Sequence, residues 1–115
     1  MRVFKDHPDA WLPSGEGVRR KIVCASKELM MVEFSFEKGG IGTPHSHPHV
    51  QSTCVASGSY EFTIDGETST IHAGDGVVIP SNAVHSCVCI EAGNLIDSFT
   101  PVREDFLVAH GITLD

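Results

Sequence analysis

The sequence predicts an all-β fold in one small domain, a sandwich, jelly roll or barrel with a short helix at its C-terminal end. Three observations carry this. Apolar and polar residues alternate with period two in successive segments, Gly, Pro, Asn and Asp punctuate the chain at hairpin spacing, and only the stretch after Pro101 reads as helical. The 115 residues fit one core, because compact domains most often run to about 100–150 residues. An N-terminal arm over about 1–17, a β body over about 18–101 and a helical tail over about 102–115 are expected.

Met30, Val32, Phe34 and Phe36 alternate with Met31, Glu33, Ser35 and Glu37, which gives one apolar face and one largely polar face, as a half-buried strand requires. Tyr60, Phe62 and Ile64 alternate in the same way with Glu61, Thr63 and Asp65. Asp65-Gly66 then supplies a tight reversal, since Gly reaches positive φ without steric cost, and Thr68 to His72 is the returning strand. Gly74-Asp75-Gly76 makes the next turn, Val77 to Ile79 a strand ended by Pro80, and Cys87 to Ile90 another strand. A turn over Glu91 to Asn94 leads into Leu95 to Phe99, the last strand. Arg103 to Val108 reads as a helix of one or two turns, with Gly111 as its stop. Many short antiparallel strands in so small a domain imply closure or double layering, because either removes exposed edges.

Composition excludes several functions. The net charge is −7, with no basic cluster beyond Arg19-Arg20-Lys21, so nucleic acid and anionic membrane surfaces are disfavoured, whereas a small anion held by a local cation is not. The longest apolar runs, such as Val77 to Pro80, fall far short of the roughly 20 residues a membrane-spanning helix requires. Met1 to Asp6 contain no apolar stretch of signal-peptide length, so a cytoplasmic protein is expected. Cys24, Cys54, Cys87 and Cys89 include no C-x-x-C pair, and free buried thiols are expected in that compartment. Cys87 and Cys89 share one face of a strand with Cα atoms about 6.5–7 Å apart, a poor geometry for a bridge.

Three histidines fall within five residues, His45-Ser46-His47-Pro48-His49, and Gln51 follows at the same parity. On an extended segment His45 and His47 point to one side, and two imidazoles from one strand need only one or two further ligands to hold Zn, Cu, Fe or Ni. His85, after Pro80-Ser81-Asn82, is the distant contributor, while His7, His72 and His110 stand in turn or terminal contexts. By itself an H-x-H pair equally fits exposed or satisfied histidines. Leu95, Asp97 and Phe99 share parity on the last strand. Facing a lumen, Asp97 is a buried carboxylate with a raised pKa suited to proton transfer; facing solvent, it merely caps a turn. Arg103 fits either a surface cation or an anchor for a substrate carboxylate.

The spacing Gly39, five residues, His45, one residue, His47, three residues, Gln51, six residues, Gly58 resembles the first motif of the cupins, departing at Gln51 where most cupins carry Glu. Gly74, five residues, Pro80 and then His85 resemble the second motif, with Asn82 where Gly is usual and Cys89 where Asn is usual. The resemblance implies a double-stranded β-helix, or jelly-roll barrel, holding one divalent transition-metal ion (Ni, Zn, Fe, Mn or Co) on His45, His47, Gln51 and His85. His49 is expected as a pocket residue rather than a fifth ligand. Three imidazoles and an amide are all neutral, so such an ion keeps its charge of about +2 and attracts anionic or hydroxyl oxygens.

Within the cupins, the runs G-T-P-H-S-H-P-H with Gln51, L-I-D-S-F-T-P-V-R-E-D-F-L and V-R-R-K-I-V resemble the KdgF family of pectin and alginate degradation. That resemblance implies ring opening of 4,5-unsaturated uronate monosaccharides to linear 5-keto-4-deoxyuronate, with Asp97, Phe99 and Arg103 as the active-site trio. It also implies a small-molecule unsaturated uronate as the partner and a homodimer. Two other classes stay open: another metal-dependent cupin enzyme, a dioxygenase or isomerase, and a non-catalytic sugar-binding module.

Overall fold

The computed structural model describes residues 1–114. Ten strands follow in order: β1 (Leu12–Pro13), β2 (Val18–Ala25), β3 (Met30–Phe36), β4 (Ile41–His45), β5 (Val50–Val55), β6 (Ser59–Ile64), β7 (Glu67–His72), β8 (Gly76–Ile79), β9 (His85–Glu91) and β10 (Gly93–Thr100), with α1 (Glu104–Ala109) after them. They form a six-stranded antiparallel sheet in the order β1-β2-β3-β10-β5-β8 and a four-stranded one in the order β4-β9-β6-β7. Two layers of antiparallel strands with their apolar faces turned inward are the jelly roll that the cupin resemblance implied, where alternation alone leaves sandwich, jelly roll and barrel open.

Alternation decides what enters the lumen between the sheets. Along β5, Gln51, Thr53 and Val55 are buried while Val50, Ser52 and Cys54 are exposed. Along β10 the buried set is Leu95, Asp97 and Phe99. Cross-strand register aligns these into rows on one face: Arg20, Phe34, Leu95 and Val55; then Ile22, Val32, Asp97 and Thr53; then Met30, Phe99 and Gln51. Two apolar clusters result. One gathers Val55, Tyr60, Phe62, Ile71, Cys89 and Leu95 between the sheets. The other packs Ile22, Met30, Val32 and Phe99 against Val102, Phe106 and Leu107, so α1 closes that end of the six-stranded sheet.

The β3 bounds, the β6-β7 hairpin and the last strand appear where the pattern placed them. Asp65 and Gly66 both take positive φ (48° and 80°), the conformation a two-residue hairpin loop demands. The turn before β10 is shorter than expected, because Gly93 and Asn94 already pair with Phe36 and Ser35. A Cβ at Gly58 or Gly93 would collide with backbone of the facing segment, which explains why glycine stands at both. The helix spans Glu104–Ala109 with Arg103 as N-cap, and Gly111 ends it at φ 64°. The N-terminal arm holds a 3-10 turn over Pro8–Ala10 and adds β1 to the edge of β2. Among the described residues no helix is long and apolar enough to cross a membrane.

Two expectations are corrected. All four cysteines are free, but only Cys87 and Cys89 are buried. Cys54 shares the outward parity of Val50 and Ser52, and an irregularity between Ile22 and Cys24 turns Cys24 out of the inward register. His45 and His47 do not share a strand: β4 ends at His45, and residues 46–49 cross from the four-stranded to the six-stranded sheet before β5 begins. Pro48, which lacks a backbone donor, disfavours continuing the ladder through this stretch.

Candidate metal centre and cavity

Loop 46–49 is held from below by the chain before β9. Asn82 N donates to the His47 carbonyl at 2.8 Å and the Ser81 hydroxyl to the Pro48 carbonyl at 2.6 Å. Asn82 takes φ 64°, a left-handed conformation that Asn tolerates, so the residue standing at the usual glycine position keeps the same turn. His85 then begins β9 directly opposite His45 on β4.

Among the described residues, His45, His47 and His85 bring one ligand nitrogen each to within 4.8 Å of one another. His47 and His85 are buried and His45 is exposed, so the triad has one open side. Each imidazole is oriented through Nδ1 by a backbone carbonyl: His45 by Thr43 at 2.8 Å, His85 by Ala83 at 2.9 Å and His47 by His49 at 3.3 Å. A carbonyl only accepts, so each Nδ1 carries the proton and each Nε2 presents a lone pair. Burial lowers the pKa of His47 and takes that of His85 down to about 4, which keeps both neutral near pH 7.

Gln51 joins them from β5. Its amide nitrogen donates to Asp97 Oδ2 at 2.9 Å and to the Thr53 hydroxyl at 3.1 Å, which turns its oxygen toward His47 Nε2 at 3.0 Å. Two acceptors thus face each other across a hydrogen-bond distance with no proton to share. His85 Nε2 is likewise buried without a partner. Converging lone pairs and an orphaned imidazole nitrogen are resolved by a cation, and three imidazoles with an amide oxygen are donors a divalent transition-metal ion accepts. The residues fit the group.

The cavity beside this centre, of about 220 Å³, is lined by His45, Gln51, Asp97, Phe99, Cys87 and both Arg20 and Arg103, among others. Asp97 is buried, with Oδ2 on Gln51 and Oδ1 without a partner. Burial raises its carboxyl pKa to about 7 against the opposing pull of Thr53 and Arg103. Phe99 stands edge-on to the His47 ring, with centroids 5.6 Å apart. Arg103 stacks over Phe106 at 4.1 Å and Phe99 at 5.2 Å, and its Nε and Nη2 already hold Asp105 in a fork at 3.0 and 2.8 Å. One further N–H edge of its guanidinium stays outside that fork.

The other histidines stand apart from the triad. His49 Nε2 lies 3.1 Å from the Val102 carbonyl, behind Phe99, and His7 caps the turn at Pro8–Ala10. His110 accepts from Arg20 Nε at 3.1 Å, and His72 is exposed at the end of β7. Arg20 stood out in the sequence as part of a basic cluster and of the run V-R-R-K-I-V but not as a site residue, although its parity with Val18 and Ile22 puts it on the inward face.

The Cupin domain family matches residues 32–96, which is more than half of the chain. The pectin degradation protein KdgF of Dickeya dadantii (strain 3937) is 45% identical over 108 residues, 92% of this chain and 98% of that protein. The solved structure of KdgF from Halomonas sp. superposes with a TM-score of 0.86 at 36% identity, covering 93% of this chain and 99% of that one. An RmlC-like cupin from Shewanella frigidimarina NCIMB 400 gives a TM-score of 0.81 at 38% identity over 84% and 86% of the two chains. The chain is a cupin of the KdgF family.

Proposed function

We propose that this protein is a metal-dependent enzyme that opens the ring of 4,5-unsaturated uronate monosaccharides in pectin or alginate breakdown. The observation that carries the reading is Asp97, which lines the cavity: one carboxylate oxygen is tied to a candidate metal ligand, and the other is buried and unpartnered. The likeness to a pectin degradation protein supports a pectin-derived substrate.

The reaction is a rearrangement in which no atom is lost. The anomeric hydroxyl gives up its proton, the bond from the anomeric carbon to the ring oxygen breaks to leave an aldehyde, and the released enolate takes that proton at C4 to become the 5-ketone. Asp97 is the candidate carrier of that proton, since it can accept at Oδ1 and return it while Gln51 holds Oδ2 still. His45, His47, His85 and Gln51 would hold the divalent ion, which supplies Lewis acidity toward sugar oxygens. Phe99 shapes the wall against the sugar ring, and the unused edge of Arg103 meets the uronate carboxylate. A homodimer belongs to the same reading, and light scattering of the purified protein tests it.

The test follows the ultraviolet absorbance of the conjugated double bond in 4,5-unsaturated galacturonate. Metal-loaded protein should accelerate its loss, and a chelator or His47→Ala should abolish the acceleration. Asp97→Asn should lower the rate by about 100-fold or more with metal still bound. Full activity in that variant would remove the proton-transfer role, and oxygen uptake with a substrate would favour a dioxygenase instead.

A further inference from the structure

Arg20 lies between Val18 and Ile22 on the inward face of β2, where an apolar side chain would serve packing. Its guanidinium is half-buried and lines the same cavity as Gln51, Asp97 and Arg103. Two segments outside the barrel strands hold it: His110 at the C-cap of α1 accepts from Nε at 3.1 Å, and Ser14 after β1 accepts from Nη1 at 3.2 Å. Neither partner is an anion, and among the described residues Arg20 forms no ion pair.

Arg20 and Arg103 each stack at 4.1 Å from the centre of the Phe106 ring, so the two guanidinium carbons are within about 8 Å of each other. Asp105 is the carboxylate that answers them, and it is committed to the fork with Arg103. Of the two fixed cations in the cavity wall, only Arg103 has a carboxylate bonded to it, and Asp97, the carboxylate that lines the cavity, is bound to Gln51 instead. In a chain of net charge −7, whose overall field repels a negatively charged substrate, a guanidinium inside the cavity with no carboxylate bonded to it is the feature that would admit one.

We propose that Arg20 is a specificity-determining residue of this site, which receives a sugar-acid carboxylate together with Arg103. His110 and Ser14 act as positioning residues that aim the guanidinium. The inference rests on the uronate reading and extends it, since it assigns the preference for the free acid to a side chain outside both cupin motifs.

The experiment compares 4,5-unsaturated galacturonate with its methyl ester as substrates of metal-loaded protein, and D-galacturonate with its methyl ester as calorimetric ligands. Arg20→Gln should raise KM for the free acid about tenfold or more, the usual size of a lost hydrogen bond to a charged group, and move the ester less than about twofold. The same collapse of preference should appear in D-galacturonate binding, which needs no turnover. A merely structural role would weaken acid and ester alike, and an Arg20→Gln variant that keeps the full preference would overturn the proposal while leaving ring opening intact. Wild-type protein that opens no ring yet binds D-galacturonate in an Arg20-dependent way would sink the reaction and keep the carboxylate seat. No preference for acid over ester in the wild type would sink the seat. If Arg20→Gln does not fold, Arg20→Lys, which keeps the charge and loses the fork, should lose part of the preference; an unchanged preference there also overturns it.

Discussion

At one end of the lumen Val55, Tyr60, Ile71, Cys89 and Leu95 meet side to side, and Phe36 packs edge-on against Tyr60 with centroids 5.3 Å apart. Even the buried Tyr60 hydroxyl is satisfied there, donating to the Ser57 carbonyl at 3.2 Å. At the other end the same strands β5, β9 and β10 turn Gln51, His85, Asp97 and Phe99 inward. All three buried side-chain polar atoms that lack a partner among the described residues, His49 Nδ1, His85 Nε2 and Asp97 Oδ1, lie at this end. Leaving such an atom unmet costs about 1–3 kcal/mol, so the closed end stores packing and the open end stores unmet bonding capacity. The strand pattern is common to both, and only the chemistry of the inward residues separates a core from a site.

That contrast is broken most directly from the closed end. Ile71→Ala should destabilise the protein by about 2–5 kcal/mol, the range for truncating a buried isoleucine, and leave metal binding intact below the lowered melting point. Thermal unfolding of both proteins measures it; a loss under about 1 kcal/mol would mean the closed end is not close-packed. The open end should answer to metal instead. At a free metal concentration about 100 times Kd, the wild type should gain about 2.7 kcal/mol of stability, and His85→Ala should gain almost none. In chelator-treated protein His85→Ala should cost less than Ile71→Ala, because an orphaned nitrogen leaves with the ring. Equal costs would show that His85 is held as a core residue.

The same contrast explains what could be read in advance. Period-two alternation groups residues by face without any knowledge of partners, which is why β3, the β6-β7 hairpin and the shared parity of Leu95, Asp97 and Phe99 were legible, while parity leaves open which face this last set takes. The convergence of His45, His47, Gln51 and His85 was implied by the resemblance to the cupin motifs, which does not say that the chain changes sheets between His45 and Gln51. Cys24 shows the limit of parity, because one irregular register step reverses which face a residue takes. Arg20 shows a different limit. A cation at an inward position reads as a flaw in the alternation until Phe106, His110 and Ser14 are seen around it, and those contacts join residues up to 90 positions apart.

The two carboxylates near Arg103 sharpen the comparison at a smaller scale. Asp97 is buried with one oxygen unmet, whereas Asp105, with its side chain 60% exposed, has both oxygens in the guanidinium fork. The hydrogen bonds from Arg103 hold the Asp105 carboxyl below its ordinary value, so its folded pKa lies below its unfolded one. The stabilisation is then present above the unfolded carboxyl range, near about 3.9, and is lost as pH falls through the depressed folded value. Asp105→Asn should therefore lower stability at neutral pH by only about 0.3–1 kcal/mol, as expected of a largely solvent-screened pair. The gap between variant and wild type should narrow with added salt and close in acid, as followed by thermal melts across pH. A gap of unchanged size in acid would show that Asp105 supports the first turn of α1 through its shape, and that Arg103 is held in the cavity wall by Phe99 and Phe106 rather than by its partner charge.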